Sequence, residues 1–447
     1  TPTRYFTPGP SMASSLMQLA SCAVLLLGVG AVSYKQAANT MGALDSVLKS
    51  GPCPECPPPW DVANAMRADP QNRDLQLKGC YLLTLGVESS DKRAQDKAAS
   101  VGVLEAAVAA LRNFPDDKEM LVVCAHAIGR VTIFNRDNGL RAGRLGGLNL
   151  TIAGYRKWME DPKITSLGGD IGCYLDWCNE NRAILRELGG VQLLIQNIKN
   201  NFHGQYSDWA YEPVKNSLFG LSSGCWLNQD ICVKEGFVEL AVQLMDEHTA
   251  ESKIAEETLQ VVNALIKSSD KYRRTLADAG LANSLVNVLR KNPTDRGAVS
   301  LACHTLSTFV GPARMTDPIG DNPVTKPFDP KLQALATKAG AVEELIQKVM
   351  GRTAMEHHDH AAFNFDVDEA YNAQADCLEG LSAMARDSPS NQRAILAAGL
   401  VTDLASRLPW GGLPGRAKGA ACSLIRLLAS SGGAFLAKTS VPVACHA

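Results

Sequence analysis

The stretch NRAILRELGGVQLLIQNIKN (Asn181–Asn200) sets the fold class. It reads as two helices joined at Gly189-Gly190. The first half opens on Asn181, a residue type that accepts a first-turn N–H well, so Asn181 is expected to be the N-cap of a short helix. Glycine can adopt the left-handed conformation that ends such a helix, which assigns the corner to the Gly pair. Past the corner, Val191, Leu194, Ile195 and Ile198 recur at i, i+3, i+4 and i+7, the stripe of a half-buried second helix. The same grammar returns in NQDICVKEG (228–236), followed by Val238, Ala241, Val242 and Met245, and in NQRAILAAG (391–399).

Working outward, a glycine followed by mainly apolar positions recurs at Gly102, Gly146, Gly189, Gly236, Gly280, Gly340 and Gly399, at intervals of 44, 43, 47, 44, 60 and 59 residues. The first four intervals fall in the window of helical-repeat architectures, and the last two equal that period plus insertions of roughly 15 residues. Asparagine stands eight residues ahead of the glycine at Asn138, Asn181, Asn228 and Asn391. A third helix follows the second, with a small residue and then Leu or Ile three or four places on, as in CYLLTLG (80–86), CAHAIGRV (124–131), CHTLSTFV (303–310), CLEGLSAM (377–384) and CSLIRLL (422–428). Cys80, Cys124, Cys303, Cys377 and Cys422 are thus one repeat position seen five times. Together with Cys232 they read as small buried packing residues in a mostly reducing compartment.

This glycine-plus-three-helix pattern resembles armadillo repeats over about residues 73–430. The resemblance implies an all-α fold, a right-handed α-solenoid of about seven to eight repeats in which each unit contacts its neighbours. Familiar armadillo adaptors carry a Trp-plus-Asn ladder on their third helices. Here the matching places hold His126 and Arg130, Phe219 and Ser223, His304 and Thr308, and Glu379 and Ala383, so no ladder exists and capture of their usual peptides is not implied.

The composition agrees with helix-on-helix packing: 46% hydrophobic, 6% aromatic and 20% charged residues. With a net charge of -2 there is no basic excess to neutralise phosphates, which argues against nucleic acid as a partner. Ahead of the repeats, residues 1–15 form an extension. Leu16–Tyr34 (LMQLASCAVLLLGVGAVSY) holds no charge and is long enough to span a bilayer as one helix, with Leu16, Leu19, Val24, Leu25, Leu26, Leu27, Val29 and Val32 facing lipid. A first residue that is Thr rather than Met adds the expectation of a removed targeting peptide. Residues 35–59 follow as a linker containing SGPCPECPPP (50–59), where prolines favour extended chain and Cys53-x-x-Cys56 lacks the second pair a zinc site needs. The solenoid is expected over 60–430, with a tail over 431–447.

Two insertions interrupt the repeats. Residues 311–330 carry five prolines and read as a loop. Residues 351–368 carry His357, His358 and His360, a weak metal candidate outweighed by a solvated loop. Insertions on a solenoid decorate its binding face, so Pro318, Pro323, Phe328, Phe363 and Phe365 are partner-binding candidates. Tyr206, Trp209, Tyr211 and Trp226 join them as an aromatic patch between repeats. Tyr155 and Trp158 follow helical spacing and read as core. No phosphate-binding, nucleophile-elbow or zinc-protease motif occurs. The expected function is therefore a non-catalytic membrane-anchored scaffold, an accessory or stabilising subunit of a photosystem, antenna or respiratory complex. Thylakoid is favoured over the mitochondrial inner membrane. The expected partners are other protein subunits and the lipid bilayer. No intrinsic cofactor is expected, and lipid or pigment contact is placed at the transmembrane helix. The alternative is a membrane-tethered adaptor that binds a partner peptide transiently.

Overall fold

The computed structural model describes residues 57–430 and 445, apart from 90, 162–163, 165–166, 176–177, 203–210, 250, 312–313, 317–322, 326–327, 352–372, 409–412 and 414. The proposed membrane span 16–34 and the Cys53/Cys56 linker lie outside these residues. Among the described residues, no helix is long and apolar enough to cross a membrane. The chain divides into two compact units after Gly154. Each is built from the same three-helix repeat.

The repeat is clearest around Gly102 in the first unit. The short helix Lys92–Ser100 ends at Gly102, the second helix Val103–Asn113 leaves from it, and the third helix Lys118–Thr132 packs back on both. Every one of the seven repeat glycines has positive φ, from +66° at Gly189 to +102° at Gly280. L-residues rarely adopt that region, so glycine marks the corner. In the second unit the third helices are Gly168–Leu175, Tyr211–Gly224, Ser252–Ser268, Arg296–Val310, Ala373–Ala385 and Gly415–Ser430, and consecutive ones pack together. Their inner faces are fully buried: Leu218, Leu221, Leu259, Val262, Leu306, Phe309, Leu378 and Leu381 are each 0% exposed.

The asparagine expected at the N-cap has a different place. The caps are Asn135, Ser269, Asp329 and Ser388, whose side chains accept first-turn N–H groups. They stand eleven residues before the glycine. Asn138, Asn181 and Asn391 lie three residues further on, inside the first turn and buried. Each side-chain amide donates to the carbonyl seven residues back, at the end of the preceding third helix: Asn138 to Val131 (3.1 Å), Asn181 to Tyr174 (2.7 Å) and Asn391 to Met384 (2.7 Å). Asn228 does occupy the cap position but makes no side-chain cap bond; it donates to Gly224 O (2.8 Å) and Arg182 O (3.2 Å). The last carbonyls of a helix have no intrahelical donor, and a buried one left unpaired is costly. The asparagine supplies that donor and fixes the turn from third helix to next repeat.

A second periodic contact was not anticipated from sequence. Ten residues after the glycine stands a cation that reaches the carbonyl just before the next glycine. Arg112 donates to Leu145 O (2.7 Å), Arg156 to Leu188 O and Lys199 to Glu235 O (2.7 Å), while Arg67, one repeat earlier, donates to Val101 O (3.2 Å). Cations at helix C-termini are favoured by the helix dipole and by the orphan carbonyls there. The same slot holds Asp246 in the next repeat, and Gly280 has no neighbour within 4 Å of where a Cβ would lie.

Two further expectations are corrected. The repeat cysteines are buried, as packing residues should be, but they are bonded rather than reduced: Cys80–Cys124, Cys225–Cys232, Cys303–Cys377 and Cys422–Cys445 are disulfides. Equivalent positions on adjacent third helices face each other, with Cα atoms 4.9 Å apart at Cys80–Cys124 and 4.7 Å at Cys303–Cys377. The insertion read as a loop contains a short antiparallel pair, Arg314–Thr316 with Thr325–Pro323. Its ends are held together, Asp329 N–H donating to Val310 O (3.0 Å), so the chain between them must double back.

Candidate partner-binding surface

The third helices supply the site because their outward positions vary while their inward ones repeat. In the second unit one face of Ser252–Ser268, Arg296–Val310, Ala373–Ala385 and Gly415–Ser430 carries a charged network. Arg416 bridges Asp376 (2.7 Å) and Glu379 (3.1 Å), and Ser300 Oγ donates to Asp376. Burial pushes the Asp376 carboxyl up against the pull of Ser300 and Arg416. His304, on the helix between, is pushed down to about 4 by burial, then by the charges of Lys267 and Arg416, so the ring is neutral at pH 7. Lys267 lies 6.0 Å from the centre of the Trp226 ring, inside cation–π range. Burial lowers its pKa.

Further along, Glu256 and Glu257 share the first turns of Ser252–Ser268. Burial is the main cause that raises Glu256 to about 7 and Glu257 to about 8; the Glu256 charge adds to the second shift. Lys253 pairs with Glu256 at 3.1 Å and opposes the rise. Asp295 caps the next third helix and is held low by its bonds to Ala298 N–H, Ser252 and Glu256 despite burial. These groups can orient or repel charged partners. Among the described residues no three His, Cys, Asp or Glu side chains are placed to hold a metal ion.

The positions that would hold an adaptor ladder do other work. Arg130 donates to Thr84 O (3.2 Å) and Ser89 Oγ (2.9 Å), Thr308 Oγ bonds His304 O (2.8 Å), and Ser223 and Ala383 are buried. Among the described residues these positions present no row of side-chain amides to a peptide backbone.

Of the partner-binding candidates, Trp226 lies in the one-turn helix Cys225–Leu227, half-buried against Lys267. Phe328 is half-buried just before the helix Pro330–Ala339. Pro323 begins the second short strand, where its missing N–H is tolerated at an edge. Tyr211 opens the helix Tyr211–Gly224. Tyr206, Trp209, Pro318, Phe363, Phe365, His357, His358 and His360 lie outside the described residues. Tyr155 is core, 0% exposed, with its hydroxyl 3.5 Å from Ser217 Oγ, and burial raises its pKa. Trp158 is half-buried beneath Lys157 at 4.7 Å. Sequence reasoning named His304 only as a place where the ladder is absent, and missed Lys267, Asp376 and Arg416. Single charges at third-helix positions carry no motif; the one available signal was their recurrence on helices already assigned as neighbours.

Comparison with known proteins agrees on the fold. No family model and no curated protein matches the sequence. An engineered protein of known crystal structure is similar over 92% of this chain and 89% of its own, with a TM-score of 0.62 and 16% identity. A chain from a structure on the phosphorylation switch controlling the interaction between cadherin and β-catenin is similar over 83% of this chain and 65% of its own, with a TM-score of 0.56 and 12% identity. A designed armadillo repeat protein is similar at 13% identity over 60% of this chain and 93% of its own, with a TM-score of 0.43. The glycine-cornered three-helix units above and the two matches with TM-scores of 0.62 and 0.56 make the fold an armadillo-like helical repeat.

Proposed function

We propose that this chain is a non-catalytic scaffold that holds other proteins on its repeats, anchored by the apolar segment 16–34 as an accessory subunit of an organelle membrane complex, photosynthetic or respiratory. The observation that carries the scaffold reading is the repeat itself. Cation clamps, buried asparagines and cross-repeat disulfides give the repeats their shape from within, and the third-helix face is left with chain-specific charge. The β-catenin-related neighbour, named for an interaction with cadherin, supports a protein partner in kind. The charge-free length of 16–34 supports the anchor.

Mild-detergent solubilisation, a native gel and mass spectrometry of the band holding this chain test the reading. Migration with a fixed set of subunits that survives salt is the expected result. Migration alone, near 47.8 kDa plus detergent, removes the subunit reading. The second reading, a tethered adaptor, is favoured by the half-buried Trp226–Lys267 pair. Partners held through the exposed charges of this face, such as Glu379 and Arg416, would leave at raised salt, because exposed charge pairs are screened.

A further inference from the structure

We infer that this chain folds and works in a thiol-oxidising compartment, its repeats stapled by four cystines made by a dithiol–disulfide oxidoreductase. The inference stands without the scaffold reading. If the chain is a membrane subunit, the inference puts the repeats on the oxidising side of that membrane.

The pattern of cysteine placement carries it. The third-helix slot lies 22 residues before the glycine at Cys80, Cys124 and Cys377, since 102 − 80, 146 − 124 and 399 − 377 all equal 22. Counted the same way, the repeats cornered at Gly189, Gly236 and Gly280 hold Leu167, Val214 and Thr258, all buried. A small hydrophobe chosen for packing alone would be scattered among such slots. Instead cysteine fills neighbouring slots together, Cys80 with Cys124 and Cys303 with Cys377. The last slot, Cys422, has no following repeat, and Cys445 of the C-terminal segment comes back to it. Repetition explains why like positions meet, but it does not explain Cys225–Cys232 or Cys422–Cys445, which join unlike positions. Cα separations of 4.7 to 6.4 Å in the four pairs suit disulfides. Cystines of this density belong to oxidising compartments, because cytosolic thiol systems reduce them.

Burial sets the order of events. Six of the eight sulfurs belong to residues with 0% exposure, and Cys422 and Cys445 have 6% and 2%. An oxidant cannot reach them once the third helices have closed. In each pair two thiols give up two protons and two electrons to the disulfide of the oxidoreductase, which leaves as a dithiol. That exchange must occur while the repeats assemble, in the compartment where they assemble.

The test is an acid quench of whole cells of the source, alkylation of thiols under denaturing conditions, and peptide mapping of this chain without reductant. The inference expects linked peptides for the four named pairs and no alkylation at those eight positions. It also expects the purified full chain to lose at least about 10 °C of its thermal midpoint when reduced, because cross-links that close long loops restrict the unfolded chain. Alkylation of the eight cysteines in the quenched sample overturns it, as does linkage in other pairs. The native-gel result is read separately. Free thiols in a chain that comigrates with partners remove the compartment and leave the scaffold. Cystines in a chain that migrates alone support this inference and remove the subunit reading.

Discussion

Asn391→Asp separates two accounts of the repeat asparagine. At an N-cap, Asp serves about as well as Asn, so the cap account makes the change nearly neutral. In the structure Asn391 instead donates, to Met384 O at 2.7 Å and Thr337 Oγ1 at 2.9 Å, from a site 3% exposed. Aspartate keeps the shape and removes both donors. Losing two buried bonds costs about 1 kcal/mol each, and a carboxylate facing a carbonyl adds to that, giving a destabilisation of about 2–3 kcal/mol at pH 8. Asn391→Leu has similar bulk and no charge, so it should cost less, about 1–2 kcal/mol. The pH dependence has a definite sign. The new carboxyl is disfavoured when charged, so its folded pKa lies above the unfolded value near 3.9. The protonated acid can donate to Met384 O. The penalty is therefore smallest below the unfolded pKa and grows as pH rises through the folded one. Urea denaturation followed by circular dichroism, with wild type at each pH as reference, reads both quantities. An Asn391→Asp protein within about 0.5 kcal/mol of wild type at pH 8, or one penalised more at pH 4.5 than at pH 8, would refute donation by this amide.

Asp246 occupies the slot where other repeats place the cation clamp, and Asp246→Lys should supply a donor to the carbonyl of Ala279. The gain is expected to be about 0.5–1 kcal/mol, reduced by loss of the Ser284 Oγ bond to Asp246 (2.8 Å), whereas Arg112→Ala should lose a similar amount. Thermal midpoints moving in the same direction for the two variants would contradict the clamp. Glu256 and Glu257, raised to about 7 and 8 from 4.5, bind protons more tightly in the folded chain than in the unfolded one. Their contribution is complete below about pH 4.5 and is lost as pH rises through 7 and 8, so stability should fall across that window by up to a few kcal/mol. Glu257→Gln should flatten the fall; an unchanged slope in denaturation midpoints between pH 5 and 8 would show that Glu257 is ionised throughout.

The fold was legible because its marker is a backbone requirement. Only glycine takes the corner without strain, so Gly102 through Gly399 recur whatever their surroundings do, and the period survives two insertions. The asparagine was legible as a repeat residue but not in its role. Asn135 and Ser388 are equally good caps three residues earlier, and a sequence does not say which of two polar residues points inward. The cation clamp escaped notice because Arg112, Arg156 and Lys199 end amphipathic helices, where a basic residue is expected anyway; the constant offset of ten from the glycine was the missed signal. Cysteine pairing was hidden by the same regularity that exposed the repeat. Five equivalents in one slot suggest packing, and pairing depends on which slots are neighbours in space. The polar side chains at Lys267, His304, Asp376 and Arg416 have no period, as expected of residues that distinguish one repeat from another.

These devices are unevenly distributed, and the gap has a location. The junction leading from the repeat cornered at Gly236 into Gly280 has Asp246 where the clamp should be, Tyr272 where the asparagine stands eight residues before the glycine, and Thr258 in the cysteine slot. Its glycine touches nothing within 4 Å of where a Cβ would lie. The adjoining third helix carries Glu256 and Glu257, both burdened by burial, and the next short helix buries Arg273 at 1% exposure beside Asp270 (3.2 Å). In a repeat protein stability is close to a sum of repeat and nearest-neighbour interface contributions. A junction lacking three of the recurring contacts and holding buried charge is therefore expected to open early in such a stack. Lys267, on the third helix Ser252–Ser268, meets Trp226, in the one-turn helix that ends the preceding third helix. A partner bound at Lys267 and Trp226, as proposed above, would add its support at a junction where the recurring contacts are missing.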